Sequence, residues 1–118
     1  MQHQVTEDDT AIAVGSGEVP VLATPRLIAW LEAATVEAAA PYLTPGQTTV
    51  GISIRVDHTR ASLVGTQVEV SAEATPDDSG RRITFLTKAI DDTGASIGGG
   101  TIVRAVVDRE HFLATITR

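Results

Sequence analysis

Apolar and polar positions follow two different periods along this chain. From Thr24 to Leu43 the sequence reads TPRLIAWLEAATVEAAAPYL, with the 3.6-residue spacing of one good helix. Thr24 suits the N-cap and Pro25 the first helical position. The segment AATVEAAA is rich in helix formers, and Pro41 with the turn TPGQ ends the element. Beyond it the period becomes 2. In VGISIRVDH the alternation puts Val50, Ile52, Ile54, Val56 and His58 on one face and Ser53, Arg55 and Asp57 on the other. QVEVSAEAT, RRITFLTKAID and SIGGGTIVRAVVD read as three further strands, separated by the turns PDDSG and DTGA. The tail REHFLATITR adds a short closing element. Ahead of the helix, residues 3–22 hold a short strand candidate and then DDTAIAVGSGEVPVL. There Asp8, Asp9 or Thr10 caps a helical turn, GSG ends it, and a mobile flap is expected.

Strand, helix and four strands with hairpin-like connections define an antiparallel sheet with one covered face and a single helix to cover it. The expected fold class is α+β, a hot-dog arrangement in which the sheet wraps one long central helix. A cone-shaped α+β roll with a ligand pocket fits the pattern less well, because such rolls carry more helix before the sheet. With 118 residues and no linker or repeat, residues 1–118 are expected to form one domain. Only 3% of residues are aromatic, so the core rests on Val, Ile, Leu and Ala. A core that thin favours burial against a partner subunit.

A net charge of −6 and the absence of any basic run argue against a nucleic-acid surface. No Cys is present, which excludes disulfides, thiolate metal sites and a Cys nucleophile. The start MQHQVTEDDT is polar and acidic, unlike a signal peptide, and no apolar run reaches membrane-spanning length. The expectation is a cytoplasmic protein that does not engage membranes.

On a helical wheel with Arg26 at zero, Glu37, Trp30 and Ala33 fall within about 40° of it, on the solvent side or at a subunit contact. Leu27, Ile28, Leu31 and Thr35 span roughly 100–200°. Glu32 falls near 240°, with Ile28 and Val36 one turn to either side. A carboxylate on the flank of the apolar arc is costly unless paired, hydrogen-bonded or protonated. Either it snorkels to water or it serves a function. His58 poses the same question, continuing the apolar register of Ile52, Ile54 and Val56. It is either a core histidine with a satisfied ring or a partner for Glu32 in acid–base chemistry. Thr24 adds a hydroxyl at the helix N-terminus, where free N–H groups and the positive dipole end favour a developing oxyanion.

These residues, in LATPRLIAWLEAATVEAAAPYL followed by VGISIRVDHT, resemble the bacterial hot-dog thioesterases of the fluoroacetyl-CoA thioesterase type. The similarity runs from about Thr24 to Phe112. It rests on the spacing of Thr24, Glu32, Gly51 and His58, and on GGGTIVRAVVDREHF, which places Arg104 at the family's arginine. The resemblance implies a homodimer with sites at the subunit interface that hydrolyses an acyl-CoA without a metal or cofactor. In that reading Thr24, Glu32 and His58 form the catalytic set. His58 is the general base or acid. Glu32 attacks the thioester carbonyl or positions water, and Thr24 orients Glu32 or the carbonyl. Gly51 lets the acyl group approach the backbone, and Arg104 lies near the acyl or the anionic CoA portion. Two departures point away from a fluorinated substrate and toward a broader short or medium acyl-CoA. The flap AVGSGEVPVLA lacks the family's phenylalanines, and Ile102 and Val103 stand where His-Glu often precedes the arginine.

Two other function classes share this fold: an enoyl-CoA hydratase or dehydratase, and a non-catalytic acyl-ligand binding module. The usual Asp-to-His segment of the hydratases is not found. The run Gly98–Gly100 is read as a bulge or close packing, since it lacks the strand-to-helix context of a phosphate loop. His3 and His111 are read as surface residues, and the paired aspartates at 8–9, 77–78 and 91–92 as turn residues.

Overall fold

A computed structural model describes residues 1–116 of the chain. The last two residues of the expected closing element lie outside that range. Five strands, β1 (Gln2–Gln4), β2 (Gln47–His58), β3 (Gln67–Pro76), β4 (Arg82–Asp91) and β5 (Ser96–Asp108), form one sheet in the order β1-β3-β4-β5-β2. Every pairing is antiparallel. Three helices accompany them: α1 (Ala11–Val14), α2 (Thr24–Ala39) and α3 (Arg109–Thr115). The sheet curls around α2, whose Leu27, Leu31 and Thr35 are fully buried. Val68 and Val70 of β3, Ala89 of β4, and Ile97 and Ile102 of β5 cluster with Leu27 and Leu31, while Ile83 and Phe85 of β4 form a second cluster with Ala39 of α2. The expected helix and four strands are present. The tail closes as α3, with the Asp108 side chain capping it through the amide of His111.

Two expectations are corrected. Trp30 is buried instead of facing solvent, because β1 extends the sheet around the far flank of α2. His3 of β1 stacks on the indole with ring centroids 4.5 Å apart and planes 3° from parallel. His3 is therefore half-buried and not a surface residue. The stripe counted on the wheel allowed for one covered face, whereas a curled sheet covers both flanks.

The second correction concerns β2. Its register against β5 shifts at a bulge between Gly51 and Ser53. Before the bulge, Thr49 and Gly51 pair with Val106 and Arg104; after it, Ile54, Val56 and His58 pair with Ile102, Gly100 and Gly98. Those five β5 positions are all even-numbered and so share the helix-facing side. Thr49 and Gly51 therefore join Ile54, Val56 and His58 on one face, and Val50 and Ile52 leave it. A single extra residue exchanged the faces of everything before it.

The flap starts as expected. Thr10 caps α1 through the amide of Ala13, and Gly15 closes it in the left-handed conformation at φ 83°. Its root is pinned: Ala11 N–H donates to Val21 C=O at 2.8 Å, Ala23 N–H to Asp9 C=O at 2.8 Å, and Leu22 N–H to Ser62 C=O at 2.9 Å. Between these anchors, residues 12–20 are exposed throughout.

The glycine run in β5 is close packing, as expected. A Cβ at Gly98 would sit 2.5 Å from the Asp57 carbonyl oxygen and 3.2 Å from Leu27 Cδ2. One at Gly100 would run into the carbonyl oxygen of Arg55. Because that obstacle is backbone, Gly100→Ala should cost about 1–3 kcal/mol of stability, the range of an overpacked core. Urea denaturation beside the parent protein measures this, and an unchanged midpoint would refute the packing role.

Candidate active site

The site residues lie at two places along α2. At its start, the helix begins one residue earlier than the capping rule placed it. The Ala23 carbonyl already accepts the first helical bond from Leu27 N–H at 3.0 Å, so Ala23 is the cap and Thr24 lies inside the first turn. The Thr24 hydroxyl, released from capping, is instead 2.8 Å from His58 Nδ1. The pair borders a cleft of about 320 Å³ between the flap and the segment after β2, lined by Ser16, Gly17, Val19, Thr24, His58 and Arg60 among others.

His58 is half-buried, and among the described residues its buried Nε2 has no hydrogen-bond partner. Burial pushes the imidazole below its ordinary value of 6.5, and a backbone hydrogen bond involving Arg60 opposes this only partly. A neutral ring at neutral pH can take a proton. Nδ1 is held by Thr24, so Nε2 remains for that exchange.

Further along the helix, Glu32 Oε2 accepts from Arg104 Nη1 at 3.1 Å. The carboxylate therefore neither snorkels freely nor meets His58 within the chain. Arg104 is 8% exposed, and all three of its nitrogens have partners. Nε donates to Thr49 Oγ1 at 2.8 Å and Nη2 to the Thr49 carbonyl at 3.2 Å. A buried guanidinium needs such partners. The Glu32 side chain, at 35% relative exposure, keeps an open side. Among the described residues, only its Oε2 is hydrogen-bonded.

Gly51 sits beside this ion pair. A Cβ there would lie 2.9 Å from Glu32 Oε2 and 3.3 Å from Arg104 Nη1. The missing side chain thus makes room for the carboxylate as well as for anything approaching the exposed backbone. Thr49 was not singled out by sequence, since a threonine in a strand carries no signal by itself. Its pairing opposite Val106, one step along the face from Arg104, is what makes it relevant.

Eight residues separate Thr24 from Glu32, about 12 Å of helix axis. The structure therefore forms two separate pairs, Thr24–His58 and Glu32–Arg104, and does not bring the predicted acid and imidazole together. Asp108 serves as a helix cap, and His111 is an exposed side chain, as expected. Among the described residues no group of three His, Cys, Asp or Glu side chains is arranged to hold a metal, and no helix is long and apolar enough to cross a membrane.

The architecture has close counterparts. A Thermus thermophilus hypothetical protein described as a thioesterase superfamily member superposes with a TM-score of 0.87 at 23% identity, over 97% of this chain and 83% of the other. A fluoroacetyl-CoA thioesterase structure superposes with a TM-score of 0.87 at 34% identity, over 97% and 87%. A phenylalanine-to-alanine mutant of such an enzyme, in complex with fluoroacetate and CoA, gives 0.83 at 34% identity, over 95% and 93%. The fold is the hot-dog fold, and the chain is a thioester hydrolase of that class. More narrowly, it belongs to the fluoroacetyl-CoA-specific thioesterase family, whose model matches residues 5–110. The fluoroacetyl-CoA thioesterase of Streptantibioticus cattleyicolor is 41% identical over 96 residues, 81% of this chain and 68% of that protein.

The depressed imidazole has two consequences with fixed sign. The folded chain resists a protonation that the unfolded chain accepts near 6.5, so stability falls as pH drops below about that value. If neutral His58 is the working form, the acid limb of kcat/KM also lies below 6.5. Rate profiles and thermal melts between pH 4.5 and 8, about the range over which histidine titrates, check both. An acid limb above 6.5 would contradict the burial argument.

Proposed function

We propose that the protein is an acyl-CoA thioesterase acting on a short or medium acyl chain. In this reading Thr24, Glu32 and His58 carry the hydrolysis without a metal, and each complete site forms between two copies of the chain. The observation that carries it is the hydrogen-bonded Thr24–His58 pair at a cleft, with Glu32 held on its own arginine about 12 Å further along the same helix.

Two half-sites on one chain become whole sites in a two-fold pair. Strand β2 is a sheet edge, and Ile52 and Ile54 on it are 47% and 41% exposed, as is Val36 of α2 at 52%. Such an edge and its apolar side chains favour burial. Antiparallel pairing of two β2 edges centred near Ile54 and Arg55 would set Gly51 of one copy opposite His58 of the other. Glu32, beside Gly51, would then face the partner's Thr24–His58 pair. An isologous contact builds both sites at once.

The chemistry follows from the parts. The thioester carbonyl lies between the half-sites, and Glu32 either aims a water at it or attacks it to form an anhydride that a water then hydrolyses. Thr24, at the positive end of α2, meets the developing oxyanion. His58 relays the proton to the departing thiolate. Arg104 holds Glu32 aimed through its Nη1 hydrogen bond, a nearer task than holding CoA. The flap offers Ser16, Gly17 and Val19 and no phenylalanine, which leaves room for acyl groups larger than fluoroacetyl.

Hydrolysis of a panel from acetyl- and fluoroacetyl-CoA to hexanoyl-CoA tests the activity. Glu32→Gln and His58→Ala should each lower kcat/KM by about 100-fold or more while preserving the fold. Full activity in both variants would remove the proposal. Mixing the two variants tests the shared site, because a mixed dimer regains one intact site. With random exchange about a quarter of wild-type activity returns. No recovery in verified mixed dimers would place the whole set in one chain.

A further inference from the structure

We propose that Thr49 is a positioning residue of the reaction, the clamp that aims Arg104 and through it Glu32; this rests on the catalytic reading of Glu32 above. The arginine is gripped twice by one residue. Its Nε donates to the Thr49 hydroxyl at 2.8 Å and its Nη2 to the Thr49 carbonyl at 3.2 Å. Nη1 on the other branch is thereby turned toward Glu32 Oε2 at 3.1 Å. A guanidinium is planar, so fixing two of its nitrogens fixes the direction of the third. Thr49 is itself 8% exposed, and among the described residues nothing else bonds Nε or Nη2.

The local fold explains why this residue has the task. Thr49 and Gly51 are alternate positions on the helix-facing side of β2, just before the bulge. The first supplies the grip. The second supplies the space, since any Cβ at Gly51 would press on both Glu32 Oε2 and Arg104 Nη1. From the helix side, Thr35 donates its hydroxyl to the Glu32 carbonyl at 2.6 Å and settles the backbone under the carboxylate. Strand and helix thus restrain the pair from opposite sides.

The carbonyl half of the grip survives any side-chain change, so substitution isolates the hydroxyl. Thr49→Val keeps the shape and removes the acceptor, whereas Thr49→Ser keeps the acceptor and removes a methyl group. Thr49→Val should lower kcat by roughly 10–100-fold with KM changed little, as for loss of a supporting contact behind a reacting group. Thr49→Ser should restore most of the rate. NMR of the Arg104 Nε–H provides a readout independent of turnover: slow exchange in the parent and in Thr49→Ser, fast exchange in Thr49→Val. The inference is overturned if Thr49→Val matches the parent in rate, if Thr49→Ser loses as much as Thr49→Val, or if Nε–H exchange is unchanged. Glu32→Gln, run alongside, separates the two claims. Full activity there defeats the catalytic reading of Glu32, while the exchange data still decide whether Thr49 holds Arg104.

Discussion

The closeness of β5 to its neighbours is the constraint on which the site depends. Gly98 pairs with His58, and a Cβ on it would press against both the Asp57 carbonyl and Leu27 Cδ2. Leu27 is one helical turn beyond Thr24. The absent side chain lets β2 and the first turn of α2 come together over the same point of β5, and the result is a Thr24–His58 hydrogen bond of 2.8 Å. Bulk at that position would separate the strand from the helix by moving either partner. The glycine run therefore sets the Thr24–His58 geometry through packing alone.

A second constraint operates at the other half-site. Burying a guanidinium without partners is costly, and Arg104 avoids that cost with three hydrogen bonds to two residues. Glu32 is the more exposed member, so its Coulombic gain is screened and the pair contributes modestly to stability. Its value lies in orientation: one carboxylate oxygen is tied down and the other is left toward the open side. An arginine tied only to a surface acid would swing with it. The buried threonine grip is what makes the arrangement stiff.

The sequence carried much of this. Helix, strands and turns were legible because period 3.6 gave way to period 2 at a proline and a turn, a contrast that local chemistry enforces. Gly51 and Arg104 stood out only through the family resemblance, whereas Glu32 and His58 were legible as polar groups beside apolar faces and Thr24 as a hydroxyl at a helix start. What pairs with what was not. Strict alternation placed Ile52 with His58 and left Gly51 on the opposite face, because a bulge at Gly51–Ser53 leaves no mark on hydrophobicity. The capping rule gave Thr24 to the helix, but the Ala23 carbonyl starts the helix and frees the hydroxyl for His58. Trp30 was misplaced because a wheel cannot register that His3, distant in sequence, stacks on it. Each miss concerns contact between segments remote in the chain.

The distance between the half-sites turns these details into one argument. About 12 Å of helix separates Thr24 from Glu32, and no rotamer of a glutamate spans it. The chain holds an imidazole against a hydroxyl and a carboxylate against an arginine, and it keeps the two pairs apart. The same bulge that sets Gly51 and His58 on one face also spaces them along a free sheet edge. Symmetric pairing of that edge about its middle would superimpose one half-site on the other's complement. Under the proposed pairing, the exposed isoleucines of β2 and the division between the two residue pairs would have a single cause: each chain would supply half of a site.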